Sequence, residues 1–148
     1  MKIDLAGTNP SNDFKTLSKS SKNNNKDETI YYKYKDYLVI YRISRGLKTN
    51  TENQTEIPLS ALKWIIQSIT HDFWQGNLPK TQHTMENTFN NETILLCRSM
   101  NAGSESEKGF KISNKSRSSH IMASRPQAFQ ITDEQIKKIL IPLNEMEP

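Results

Sequence analysis

His120 stands between Arg117 and Arg125 in the segment "KSRSSHIMASR", with serines before and after it. An imidazole among guanidinium groups and hydroxyls is a residue set for holding phosphate, or for the general base of a ribonuclease-like site. The plainer expectation for the same spacing is a strand histidine facing solvent. The other titratable residues offer less. His71 falls late in an amphipathic stretch, where an imidazole complements a helix C-terminus. His83 has no acid or thiol neighbour at ligand spacing, so no metal site is expected. Cys97 is the single cysteine, which excludes an intramolecular disulfide, and its setting "ETILLCRSM" reads as a buried structural thiol in a strand. The five glycines are isolated rather than gathered into a phosphate-binding loop, and the carboxylates are scattered. No catalytic residue and no cofactor are therefore expected, with a nuclease-like activity as the residual enzymatic alternative.

A second set of residues points to binding. All five tyrosines fall between Tyr31 and Tyr41, within the stretch "YYKYKDYLVIYRISRG" that also carries Lys33, Lys35, Arg42 and Arg45. Aromatic rings that stack on bases, beside cations that follow phosphates, are what binders of single-stranded nucleic acid use. Tyr31, Tyr37 and Tyr41 are the candidate stacking residues. Lys33, Lys35, Arg42, Arg45, Lys111, Arg117 and Arg125 are the candidate phosphate contacts, with His120 beside them. The alternation places tyrosines on both faces of these strands, so some of them belong to a core.

The distribution of charge supports a polyanion partner better than the formal net charge of +4 does. Between residues 29 and 50, five Lys and Arg stand against Asp36 alone; between 98 and 130, six stand against Glu105 and Glu107. The intervening segment and the C-terminal segment are both acidic. Basic strands and acidic helices would give a sheet one positive face.

Elements that would position these residues can be read from periodicity and turn chemistry. Residues 1–28, ending in "SKSSKNNNKDE", are expected to form a flexible N-terminal arm, with Ile3, Leu5, Phe14 and Leu17 as spots able to dock. Thr29 to Ile43 reads as a hairpin turning at Lys35 and Asp36, and "TEIPL" as a short strand that Pro58 confines to a sheet edge. Ser60 is placed to cap a helix running toward Gly76, with Leu62, Ile65, Ile66 and Ile69 as its apolar stripe. Residues 77–92 read as a linker. Strands follow at "TILLCRSM", "FKISNK", "SHIMASR" and "AFQI". Thr132 and Gln135 have capping-box spacing before a second helix that Pro142 should limit.

At 148 residues the chain is long enough for one core and too short for two independent ones. The expectation is an α+β domain over 29–148, an antiparallel β-sheet with two helices on one face. A duplicated β-β-β-α unit over 29–76 and 92–146 fits the order of elements. This order is similar to that of the Whirly and Pur-type single-stranded DNA-binding families; the resemblance is one of layout and carries no site residues.

No apolar run has the length of a bilayer span and the N-terminus lacks a secretory h-region, so a cytoplasmic protein with no membrane partner is expected. The leading expectation is a small, basic, non-catalytic binder of single-stranded DNA or RNA. The alternative is an inhibitor, adaptor or immunity-type accessory protein of a mobile genetic element, occupying the surface of a nucleic-acid-handling protein through Trp74 and Phe89. A homodimer would form if an edge strand such as "TEIPL" paired with its copy.

Overall fold

The computed structural model describes residues 2–103 and 106–146, with the side chain of Met146 outside the description. Its first half is a sheet of four sequential antiparallel strands, β1 (Phe14–Lys22), β2 (Asp27–Tyr34), β3 (Tyr37–Arg45) and β4 (Asn50–Pro58). The hairpin at Lys35 and Asp36 forms as the sequence predicts, Tyr34 pairing with Tyr37 across it. The flexible arm does not form. Residues 14–22 make an edge strand instead, its ladder to β2 closed by Asn23, Asn24 and Asn25 at φ of 55°, 57° and 65°. Asparagine tolerates this left-handed region better than other side chains, so the polar "NNN" run is a turn rather than a disordered stretch.

The second half repeats the pattern in a separate sheet, β5 (Thr84–Phe89), β6 (Glu92–Ser99), β7 (Gly109–Ser118) and β8 (Pro126–Thr132). Strand β5 lies where a linker is expected. Asn90 and Asn91, at φ of 52° and 64°, connect it to β6 in a two-residue hairpin of the type that needs two left-handed residues. The segment "SHIMASR" is a loop and not a strand, folded on itself by hydrogen bonds from the Ser119 amide to the Arg125 carbonyl and from the Arg125 amide to the Met122 carbonyl.

Each sheet is followed by a helical rod. In the first, a 3₁₀ turn (Leu59–Ala61) leads into α1 (Leu62–Gln67) and then a wider π-type segment (Ser68–Phe73). Ser60 lies inside the 3₁₀ turn, and no side chain caps this start. Gly76, at φ 71°, reverses the chain just beyond the rod, as a left-handed terminator does. The second rod opens at α2 (Asp133–Gln135) with the full capping box: the Thr132 side chain accepts from the Gln135 amide, and the Gln135 side chain accepts from the Thr132 amide. It continues through a π-type segment (Ile136–Leu140) into α3 (Ile141–Met146), so Pro142 does not end it. The π-type segment lies directly before Pro142, which has no N–H to give to the preceding turn.

One core joins the two halves. Tyr31, Leu38, Ile40 and Ile57 of the first sheet, Leu96, Phe110, Ile112 and Ile131 of the second, and Ile65, Ile69, Ile136 and Leu140 of the rods form a single buried cluster. The architecture is α+β with antiparallel strands and two helical rods, as expected, the strands being divided between two four-stranded sheets. The repeated unit has four strands and a helix, and starts at residue 14 rather than 29.

The outer face of the first sheet carries a second apolar cluster of Ile30, Tyr32, Val39, Tyr41 and Ile43, and the N-terminal segment lies on it. Ile3 and Ala6 are buried there while Leu5 points out. The Ala6 amide donates to Gln54 Oε1 (2.8 Å), Gln54 Nε2 to the Asp4 carbonyl (2.9 Å), and the Tyr32 hydroxyl to the Gly7 carbonyl (2.8 Å). No helix of the described residues is long and apolar enough to cross a membrane.

Candidate nucleic-acid interface

Edge strands β4 and β8 meet at the seam between the sheets, and side chains close the seam. The Asn53 amide donates to the Ala128 carbonyl (3.0 Å) and Arg42 Nη2 to the Gln130 carbonyl. From the other side Gln127 Oε1 accepts from the Glu56 amide (2.9 Å), and Asn114 Nδ2 donates to the Glu56 carbonyl (2.8 Å). These bonds occupy backbone groups that an edge strand would otherwise offer. The edge position expected of Pro58 holds, but the "TEIPL" edge is taken within the chain and not free to pair with a copy.

Arg117 and His120 belong to this seam. Arg117 lies over the Tyr37 ring at 4.7 Å, donates through Nε and Nη2 to Glu92 (2.5 and 3.3 Å), and reaches Glu56 through Nη1 (3.2 Å). His120 Nε2 is hydrogen-bonded to Glu56 Oε2 at 2.8 Å, and Gln54 and Gln127 donate to the same carboxylate. The Glu56 side chain is 1% exposed and that of Arg117 11%. Two carboxylates buried this far need such partners. The Glu92 carboxyl is desolvated, yet hydrogen bonds from Arg117, Tyr37 and Asn114 outweigh this and hold it below its ordinary value. Arg117 is correspondingly held above its own by Glu92, against the effect of burial. Arg117 is thus a structural ion-pair partner rather than an exposed phosphate contact. His120 sits in a cleft of about 550 Å³ with Ser118, Ser119 and Lys2, its imidazole oriented by Glu56 rather than facing solvent.

The three candidate tyrosines are also internal. Tyr31 and Tyr41 are each 1% exposed and Tyr37 is 8% exposed, so no ring face is open to a base. Tyr31 packs into the shared core, Tyr37 donates to Glu92 and Tyr41 to Glu52. Burial raises the pKa of all three hydroxyls, helped in Tyr37 and Tyr41 by the carboxylates they bind.

The remaining candidates separate into bound and open ones. Arg45 pairs with Glu28 at 2.9 Å and donates to the Asn25 carbonyl. Lys33 is half-buried opposite Leu38. Lys35 is exposed at the β2–β3 turn, its ammonium 5.5 Å from the Tyr34 ring centre. Trp74 and Phe89 both pack against the core, Trp74 beneath Lys137 and Phe89 against Trp64, and neither is an exposed anchor. Cys97 is half-buried on the outer face of β6, not in the core.

Lys111 and Arg125 are open. Lys111 projects from the outer face of the second sheet, where register places it between Cys97 and Gln130. That face carries Thr93, Ser99, Ser113, Lys115 and Gln130 together with Glu86, Leu95 and Ala128, and among the described residues no aromatic side chain. Lys115 pairs with Glu86 at 2.7 Å, both side chains about half exposed, an arrangement worth little energetically and easily exchanged. Arg125 lines a shallow cleft of about 430 Å³ with Lys111, Asn53, Ile121 and Met122. Lys115 and Asn53 join this surface without having been sequence candidates. The signal for Lys115 is its spacing of four from Lys111, which puts both on one strand face; Asn53 carries none, because only the seam brings it there.

Among the described residues no group of three or more His, Cys, Asp or Glu side chains converges to hold a metal ion. The chain matches no protein-family model, no curated protein and no solved structure.

Proposed function

We propose that the protein is a non-catalytic binder of single-stranded DNA or RNA that contacts the sugar-phosphate backbone rather than the bases. The observation that supports this most is the asymmetry of the two outer faces. The first is apolar and covered by residues 3–6, whereas the second is mostly polar, with hydroxyl and amide groups around Leu95, and sets Lys111 and Lys115 against the single carboxylate of Glu86. Lys111, Lys115 and Arg125 supply charge, and Thr93, Ser99 and Gln130 supply hydrogen bonds of the kind that phosphates and sugars accept. Without rings to stack on, such a face would bind with little sequence preference and with strong dependence on salt. Titrating labelled single strands and duplexes by fluorescence anisotropy at roughly 50 and 200 mM salt tests this, since a few phosphate contacts should cost about tenfold or more in affinity over that range. No binding at the lower salt would contradict it.

A protein partner is the second reading, favoured by Ile121 and Met122. Both are about half exposed, at 56% and 50%, on the loop beside Lys111 and Arg125. An apolar pair rimmed by cations suits an acidic protein surface. In that case duplex and single strand would both fail to bind.

A further inference from the structure

Arg42 differs from the other arginines of this chain. Arg45 pairs with Glu28, Arg98 with Asp133 and Arg117 with Glu92, while Arg125 lies exposed on the β7–β8 loop. Arg42 is drawn into the seam, its guanidinium 5.5 Å from the Phe129 ring centre and beside the Tyr31 hydroxyl, and among the described residues no carboxylate pairs with it. Nη2 is satisfied by the Gln130 carbonyl, but Nε is buried and has no hydrogen-bond partner. A desolvated cation with an orphaned donor is costly unless an anion completes it. Burial pulls its pKa below the ordinary arginine value, and the Tyr31 hydroxyl beside it offsets this only in part.

The space beside it suits such an anion. A cleft of about 410 Å³ opens over Arg42 and is lined by Asn53, Asn101, Lys111, Phe129 and Gln130, and among the described residues none of its lining is acidic. Two cations and two side-chain amides around one opening give both the charge and the donors that a tetrahedral oxyanion needs.

We propose that this cleft binds a phosphate group, with Arg42 and Lys111 balancing its charge and Asn53 and Asn101 donating to its oxygens. The paired charge favours a doubly ionised phosphate monoester over a diester. The site does not depend on the nucleic-acid reading: the phosphate could belong to a strand terminus or to a small phosphorylated molecule, and the chemistry recognised is the same.

The test uses the full chain. Inorganic phosphate is titrated against chloride at matched ionic strength, following the melting temperature and the amide resonances, with Lys111→Gln and Arg42→Gln as variants. Lys111 is exposed, so its replacement keeps the test valid if the Arg42 variant fails to fold. Saturable binding that raises the melting temperature by about 4 °C at a tenfold excess over Kd is expected. Shifts should concentrate at residues 42, 53, 101 and 111, with Lys111→Gln weakening the affinity at least tenfold. Absence of saturable binding, or saturation indifferent to Lys111→Gln, would overturn the proposal. Oligonucleotides with and without a 5′-phosphate then assign the source: preference for the phosphorylated end places the site at a strand terminus, and equal binding places it with free phosphorylated molecules, phosphate binding having been established in either case.

Discussion

Replacing Arg117 with Gln should damage folding far more than it damages any surface. Its side chain is 11% exposed and serves two carboxylates, those of Glu92, 12% exposed, and Glu56, 1% exposed. Gln retains no charge and cannot span both acids, leaving Glu92 ionised and short of its main partner. Removing one member of a buried ion pair costs about 3–5 kcal/mol, because the remaining charge stays desolvated. For a chain of this size each kcal/mol is worth about 3 °C in melting temperature, so a fall of roughly 9–15 °C is expected by circular dichroism, with a matching drop in urea midpoint at unchanged slope. The pH dependence gives an independent signature. In the native protein the Glu92 carboxyl is held below its ordinary value of 4.5, so the stability it contributes is present above that pH and is lost as pH falls below it. Without Arg117 the strongest influence that lowers the Glu92 pKa is lost while its desolvation remains, so its pKa rises. The deficit of the variant should then shrink as pH is lowered through the acidic range, because Glu92 takes up a proton in the variant before it does so in wild type. A loss below about 1 kcal/mol at pH 7, or a deficit that does not shrink on acidification, would refute the assignment of Arg117 to the internal network.

Two further perturbations test other parts of the fold. Deleting residues 2–8 should uncover Tyr32, Val39 and Tyr41, lower stability by about 2–3 kcal/mol from the buried Ile3 and its neighbouring hydrogen bonds, and raise the binding of an apolar dye; an unchanged melting curve would show that the segment does not cover the sheet. Thr132→Ala removes the acceptor for the Gln135 amide and should cost about 1 kcal/mol, seen as a melting shift of a few degrees, with Thr132→Ser recovering most of it.

What the sequence made legible follows from where the signal resides. The hairpin at Lys35 and Asp36, the Leu62 to Ile69 stripe, the Thr132–Gln135 capping box and the edge position of Pro58 are local, set by neighbouring residues, and the structure contains each of them. Strands β1 and β5 were hidden because backbone ladders hold them more than side-chain burial does, and because their asparagine turns resemble disordered sequence. The site was less legible than the fold. Alternation shows that Tyr31 and Tyr41 occupy opposite faces, but not that both faces are covered, one by helical rods and the other by residues 3–6. The pairing of Arg117 with Glu92 spans 25 residues and that of His120 with Glu56 spans 64, distances at which no local pattern acts.

The most direct measurement compares the wild-type chain with a Lys111→Gln, Lys115→Gln, Arg125→Gln variant in binding a labelled single strand across a series of salt concentrations. All three side chains are exposed, so the variant should melt within about 2 °C of wild type. Losing three phosphate contacts should weaken binding and reduce the slope of log affinity against log salt by about 2. Equal affinity and an equal slope would contradict backbone binding at the outer face of the second sheet.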